Sequence, residues 1–192
     1  MSWSAISVMR LEVLLTIMVL YQLIADLSEN ENKRRVINST IFLFGMITLI
    51  GFIPSASAKL FGNMYIHDEL RALLKNILNV STLIMLLQSA GWLSKGENQS
   101  KTGAFFLLIF STLIGMYFMI SAGDFLMLYL GLELATLPLT ILAAFDKKLR
   151  RSAEAGIKLL MSSAVSSAVL LFGVSLLYGV YGTLHFAEMA LL

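Results

Sequence analysis

Glu133 carries the clearest chemical signal in this sequence, because it lies in an otherwise uncharged run from Phe125 to Phe145. If that run spans a bilayer, the carboxylate is held away from bulk water. A charged side chain at the centre of a spanning helix costs about 2.5–3.5 kcal/mol on insertion scales. Acids retained at such a cost usually mark a path for ions or protons. We therefore expect Glu133 to take part in proton or ion movement.

Three polar side chains share a helical face with Glu133, since residues three, four and seven positions apart are neighbours on a helix. They are Tyr129, Thr136 and Thr140. Two interpretations of the threonines stay open: they hydrogen-bond the carboxylate or hold water beside it, or they bond back to carbonyls of their own helix. Pro138 removes a backbone hydrogen bond to Leu134, which predicts a local bend or a loosened turn.

Lys158 is the second charged candidate, about seven residues beyond Arg151. At 1.5 Å per residue this depth is only about 10 Å, so the ammonium can extend back to the interface. It can also pair with Glu154, one helical turn earlier. The residues alone leave a functional and a structural role equally open. Glu12 and Lys75 lie near helix ends, and we expect them to stabilise those ends or to pair locally.

The composition supports a membrane location for these residues. Of the 192 residues, 58% are hydrophobic and 14% are charged, whereas a soluble domain carries about 25% charged residues. Apolar stretches of bilayer length separate short charged segments. The sequence therefore predicts an all-α, polytopic membrane helix bundle with about six transmembrane helices. The predicted spans are 8–27, 36–53, 72–93, 103–121, 125–145 and 155–181.

Basic residues are concentrated in alternate connections of this bundle. These connections are 28–35, 94–101 and 146–151. The positive-inside rule places such loops in the cytoplasm. The N-terminus is then expected outside.

The segment 55–70 is the least regular part of the chain. It is predicted to form a short hairpin or an interfacial stretch on the outer face. His67, Asp68 and Glu69 suit a metal site or a proton entry, but a solvated loop is the favoured interpretation.

The residue content limits the chemistry of this chain. It has no cysteine and therefore no disulfide, iron–sulfur cluster or cysteine-based zinc site. Two isolated histidines, His67 and His185, do not make a metal site. Redox chemistry is expected in another polypeptide. The net charge of +2 lies in loops rather than on one face, so the expected partner is the lipid bilayer and not nucleic acid.

Two long stretches carry a family resemblance. SAGDFLMLYLGLELATLPLTILAAF and DKKLRRSAEAGIKLLMSSAVSSAVLLFGVSLLYGVYGTLHF closely resemble the antiporter-like membrane subunits of proton-pumping NADH–quinone oxidoreductase, respiratory complex I, and among them the subunit N family. The resemblance is specific from about residue 103. The earlier part agrees in pattern and in short pieces such as LFGNMYIHDELRALLK.

The resemblance implies proton translocation coupled to quinone reduction. In the family, a glutamate on the fifth helix pairs with lysines deeper in the bundle, and Glu133 matches that glutamate. Lys158 matches a lysine on the sixth helix. A neighbouring cation favours the ionised carboxylate and desolvation opposes it, so movement of either partner shifts proton affinity. Together, Glu133 and Lys158 are the residues expected to relay protons, with Tyr129, Thr136, Thr140 and Pro138 in support.

The resemblance also implies what surrounds the chain. No cofactor is expected in this chain, while NADH, FMN, iron–sulfur clusters and quinone are expected in partner subunits. The partners are other membrane subunits of complex I, and the location is the bacterial inner membrane.

The expected domain organisation is a single transmembrane domain, 1–192. Helices 1–3 (1–102) are peripheral, and helices 4–6 (103–192) begin the antiporter-like repeat. The family continues with further helices, so we expect the chain to be an N-terminal portion. Two other functions stay open: a subunit of a multisubunit cation/proton antiporter, or a truncated, non-pumping membrane scaffold.

Overall fold

The computed structural model describes residues 7–27, 33–54, 56–146 and 148–191. Part of the predicted basic connection 28–35, namely 28–32, and residue Lys147 of the third one lie outside the described residues. The helices are α1 (Arg10–Leu27), α2 (Lys33–Gly51), α3 (Glu69–Leu93), α4 (Thr102–Ser121), α5 (Phe125–Ala143), α6 (Arg150–Tyr181) and the short α7 (Phe186–Met189). A 3-10 helix, Gly96–Lys101, precedes α4.

Five helices, α2 to α6, are long and apolar enough to cross a membrane, judged by length and composition. This confirms the all-α, polytopic membrane bundle. Helix α1 forms where the first span is predicted, but its 18 residues include Arg10, Glu12 and Asp26. These three charges leave α1 outside that group, so its role as a sixth span stays a prediction.

Capping residues mark the starts of α3 and α5 and the end of α6. Asp68 precedes α3, and its carboxylate accepts from the Arg71 backbone N–H at 2.8 Å. Asp124 caps α5 in the same way, accepting from the Met127 N–H at 2.8 Å. Gly182 ends α6 in the left-handed conformation, with φ of 68°, which glycine adopts without steric cost.

The segment between α2 and α3 forms a β-hairpin. Strand β1 (Ala58–Leu60) pairs antiparallel with β2 (Tyr65–His67). The hairpin alternative is therefore confirmed. His67 is only 4% exposed, so the solvated-loop interpretation is wrong at this residue. The reason is that β2 pairs with the chain between α4 and α5, where Tyr65 forms a bridge with Ala122.

The chain forms two compact units. The first comprises Met1–Ser57 and Asp68–Phe110, and the second comprises Ala58–His67 and Ser111–Leu192. The first unit has an aromatic core in which the rings of Phe44 and Phe110 lie 5.4 Å apart. The second unit contains the hairpin, α5 and α6, and therefore both predicted relay residues.

Candidate functional site

Helix α5 presents three different faces around Glu133. One face is buried and made of small residues: Gly131, Ala135 and Pro138. A second face is exposed and apolar: Leu126, Leu130, Leu134, Leu137 and Ile141. Glu133 lies on the polar stripe between them and is half-buried. The carboxylate is thus set at the border of the packed bundle, about half-way along the helix.

Of the three polar neighbours, Tyr129 is the one that addresses the carboxylate. Its hydroxyl lies near enough to Glu133 to interact with the carboxylate. The Thr140 hydroxyl donates to the Thr136 carbonyl at 2.9 Å, and the Thr136 hydroxyl lies 3.5 Å from the Glu133 carbonyl. Both threonines therefore bond back to their own helix. Helix α5 continues through Pro138 to Ala143.

Two glycines set the position of α5 against α4. A Cβ on Gly115 would overlap the backbone nitrogen of Ala135, and a Cβ on Gly131 would lie 2.7 Å from the Met119 nitrogen. The two backbones are therefore in direct contact on either side of Glu133 along α5. Such contact is available only where side chains are absent.

The start of α5 is held by backbone hydrogen bonds on two sides. Gly123 N–H donates to the Met64 carbonyl of the hairpin turn at 2.7 Å, and Phe125 N–H donates to the Leu184 carbonyl at 3.2 Å. In return, Phe186 N–H donates to the Gly123 carbonyl at 3.1 Å. Glu133 lies about 14 Å along the helix from this anchor, at 1.5 Å per residue.

Lys158 is placed differently from Glu133. Its side chain is 74% exposed, and its Nζ lies 2.5 Å from Oε1 of Glu154, one turn earlier on α6. Among the described residues, the Glu133 carboxylate has no ion pair within 4 Å. The structure thus shows the local pairing of Lys158 and does not bring Glu133 and Lys158 together.

Helix α6 is attached to α5 near its first turns. The Ser152 hydroxyl donates to the Ala143 carbonyl at 2.9 Å, and Gly156 lies against Ala144. Beyond these contacts most of α6 is exposed, and Ser167 is its other buried residue. Lys158 therefore follows the buried Gly156 by two residues and lies on the exposed part of α6.

A buried ion pair in the first unit escaped the sequence analysis. Lys75 Nζ lies 2.5 Å from Glu12 Oε1, and their side chains are 1% and 4% exposed. The expectation that each would act at its own helix end is wrong, because α1 and α3 bring them together. The available signal was a pair of opposite charges in two separate apolar helices, each directly after a leucine, Leu11 or Leu74.

Known proteins resemble this chain in the region of α5 and α6, and some of them over nearly its whole length. The family described as "NADH:quinone oxidoreductase/Mrp antiporter, TM" matches residues 122–192, which contain α5 and α6. A curated relative from Phocaeicola vulgatus, named NADH-quinone oxidoreductase subunit N, is 39% identical over 98% of this chain and 40% of its own length. Residues 122–192 match the NADH:quinone oxidoreductase/Mrp antiporter membrane-subunit family, and nearly the whole chain is similar to the relative named subunit N. This confirms the resemblance found in the sequence.

Other curated relatives have the same name and a similar identity to this chain. Relatives of the same name from Azobacteroides pseudotrichonymphae and Magnetococcus marinus are 40% and 36% identical, over 95% and 80% of this chain. They are covered over 38% and 31% of their own lengths. The chain therefore spans about 40% or less of the length of these curated relatives.

Two solved structures share the fold. One is respiratory complex I from Thermus thermophilus with bound aureothin, with a TM-score of 0.74 and 19% identity over 91% of this chain and 38% of that chain. The other is the membrane-bound sulfane sulfur reductase, an archaeal respiratory membrane complex, with a TM-score of 0.76 and 22% identity over 98% and 39%. At these identities the likeness establishes the fold of the helices alone.

Proposed function

We propose that the chain acts as a membrane subunit of NADH-quinone oxidoreductase and takes part in proton translocation coupled to quinone reduction. The observation that carries this proposal is Glu133, a half-buried carboxylate in the middle of an apolar helix. It lies in the region matched by the family. The curated relatives are named as oxidoreductase subunits, which favours this function over a separate cation/proton antiporter.

Glu133 is the residue that holds the proton in this proposal. Uptake of a proton neutralises the carboxylate and weakens its electrostatic interaction with nearby groups. The Tyr129 hydroxyl, which interacts with the carboxylate, can donate to the ionised form and accept from the protonated form. The anchored start of α5 and its glycine contacts with α4 keep the carboxylate in place while its charge changes.

Lys158 is the mobile charge in this proposal. Its long side chain pairs with Glu154, and because both side chains are exposed within this chain, packing does not fix the ammonium in place. The ammonium can therefore exchange Glu154 for another partner at small cost. Release from Glu154 would change the field along α5, which lies beside the first turns of α6.

The redox chemistry belongs to partner subunits. The chain has no cysteine, and within the described part of the chain no three His, Asp or Glu side chains converge on a metal site. A chain without cysteine has no thiolate to hold an iron–sulfur cluster, and in this proposal NADH, FMN, iron–sulfur clusters and quinone are assigned to other chains. Other membrane subunits of the complex, and the lipid of the bacterial inner membrane, are the proposed surroundings.

The test of this function compares NADH-driven proton uptake with cation-driven proton exchange. Inside-out vesicles from cells that carry the gene are compared with vesicles from a deletion strain. We expect the deletion to remove NADH-driven proton uptake and a restored gene to recover it, with sodium-driven proton exchange unchanged. Loss of sodium-driven exchange alone would support the antiporter alternative. Loss of neither activity would support the scaffold.

The proposed orientation places the N-terminus outside and the basic connections in the cytoplasm. The alternation of basic loops supports it. Because the chain has no cysteine, single cysteines can be labelled cleanly. In intact spheroplasts, an impermeant thiol reagent is expected to label Lys59→Cys, at an exposed position of the hairpin, and to leave Asn98→Cys unlabelled. The reverse labelling pattern would overturn the orientation.

A further inference from the structure

The ion pair of Glu12 and Lys75 is not used by the proposed function. Its two residues are 63 positions apart in sequence, and both side chains are almost fully buried. Removing two charges from water is costly, and an apolar pair of similar volume is often as stable or more stable. Packing alone therefore gives no reason for this pair, whereas ionisable residues inside a membrane usually have a function.

Polar groups lie next to the pair along α3. The Asn76 side chain donates to the Gly51 carbonyl at 2.9 Å. Asn79, one turn beyond Lys75, is fully buried and also lies beside Gly51. These amides provide hydrogen-bond donors and acceptors along about one helical turn beyond Lys75.

A second ion pair lies between Lys75 and the start of α3. The Asp68 carboxylate contacts the Arg71 guanidinium, and both side chains are partly exposed. Arg71 precedes Lys75 by one turn, and both members of this second pair act electrostatically on the Lys75 ammonium. On α1, Arg10 donates to the Ile53 carbonyl, while the charged residues of α2 lie at its opposite end.

Elsewhere in α1, α2 and α3 the buried side chains include the apolar Leu15, Met18, Phe44 and Leu86, none more than 3% exposed. Toward the other end of α1, polar contact resumes where the Thr40 hydroxyl donates to the Gln22 side chain at 3.0 Å. Among the described residues, the charged groups that act on Lys75 besides Glu12 are Arg71 and Asp68, and both lie toward the start of α3.

We propose that Glu12 and Lys75 form a second protonatable site, which exchanges a proton with the aqueous phase at the end where α1 and α3 begin. An O–H bond forms at Oε1 of Glu12 as an N–H bond of the Lys75 ammonium breaks, which gives a neutral acid and a neutral amine. Desolvation disfavours both charged forms, so the two states approach each other in free energy. The amine then takes a proton from water, so the site holds one proton more than the original ion pair. This inference rests on the proposed function in proton translocation.

The test uses variants of the intact complex. Glu12→Leu and Lys75→Met each leave one buried charge, so each alone is expected to reduce the amount of assembled complex sharply. The double variant removes both charges and is expected to recover assembly. Its NADH-driven pumping, normalised to assembled complex and to electron transfer, is expected to fall about tenfold or more. A double variant that assembles and pumps at the unaltered ratio would show that the pair is structural. Absence of pumping by the unaltered complex would instead contradict the proposed function.

A second measurement decides the matter even if the double variant does not assemble. Glu12→Asp keeps the carboxylate, and a protonated aspartate absorbs at a different infrared frequency from a protonated glutamate. We expect the NADH-induced difference spectrum of the complex to contain a protonated-carboxyl band that shifts in Glu12→Asp. A band region identical in the two proteins would show that Glu12 does not change its protonation.

Discussion

Glu133→Gln is expected to reduce NADH-driven proton translocation by about tenfold or more, the scale of effect for a proton-transferring side chain. Glutamine keeps nearly the same shape and can still accept from Tyr129, but it cannot ionise. Because Glu133 is half-buried and has no ion pair among the described residues, its replacement leaves no buried partner unpaired. Assembly is therefore expected to remain close to normal. The measurement is proton uptake by vesicles per electron transferred and per assembled complex.

The matched control for this variant is Glu188→Gln, which makes the same chemical change at an exposed position in α7. We expect its pumping ratio to equal that of the unaltered complex. Full pumping by Glu133→Gln would mean that the carboxylate is structural and would remove the principal site assignment.

Lys158→Met tests whether the Lys158 ammonium is needed for pumping, and Glu154→Gln is its control. Both break the exposed ion pair on α6, but only the first removes the ammonium. If Lys158 relays protons, Lys158→Met lowers the pumping ratio and Glu154→Gln leaves it nearly unchanged. Equal effects of the two variants would reduce Lys158 to a member of a surface ion pair.

Gly115→Val is expected to destabilise the complex and to lower its pumping ratio together. The added side chain must enter a space already occupied by the Ala135 backbone, which cannot move without moving α5. Overpacking of a well-filled interior costs about 1–3 kcal/mol and occasionally more. Displacement of α5 also displaces Glu133 from its position beside the packed face. Thermal inactivation of the purified complex measures the first effect, and proton uptake per electron measures the second.

Gly91→Val is the control for that variant, because a Cβ at Gly91 meets nothing within 4 Å. It places the same β-branched residue in a helix, near the end of α3, without steric overlap. We expect its inactivation temperature to remain near that of the unaltered complex. A Gly115→Val complex of normal stability would show that α4 and α5 can separate freely, contrary to the contact described above.

Local sequence signals predicted the helices well, since each span is a long apolar run bounded by charges or caps. The position of Glu133 on α5 followed from the same local information. The choice made by the Thr136 and Thr140 hydroxyls did not, because the sequence offers them two partners of similar strength. The pairing of Glu12 with Lys75 depends on how α1 and α3 pack. The two residues are 63 positions apart, so the sequence around either of them does not predict the contact.

The domain organisation shows the same limit. The apolar runs predicted a single transmembrane domain, 1–192. Its division into peripheral helices (1–102) and the start of the antiporter-like repeat (103–192) stays a prediction. The compact units instead interleave along the chain, with Ala58–His67 belonging to the second unit. The reason is backbone pairing between the hairpin and residues 122–123, which no hydropathy pattern indicates.

The same pairing has a consequence for the order in which the protein is made. Tyr65 is synthesised about 57 residues before its bridge partner Ala122. At about 5–20 residues per second, the hairpin waits about 3–11 s for that partner. A lone two-stranded hairpin is marginally stable in water, and during this interval Tyr65 lacks its bridge to Ala122. The second unit can therefore close only after the ribosome has passed the start of α5, when the first unit has been translated in full.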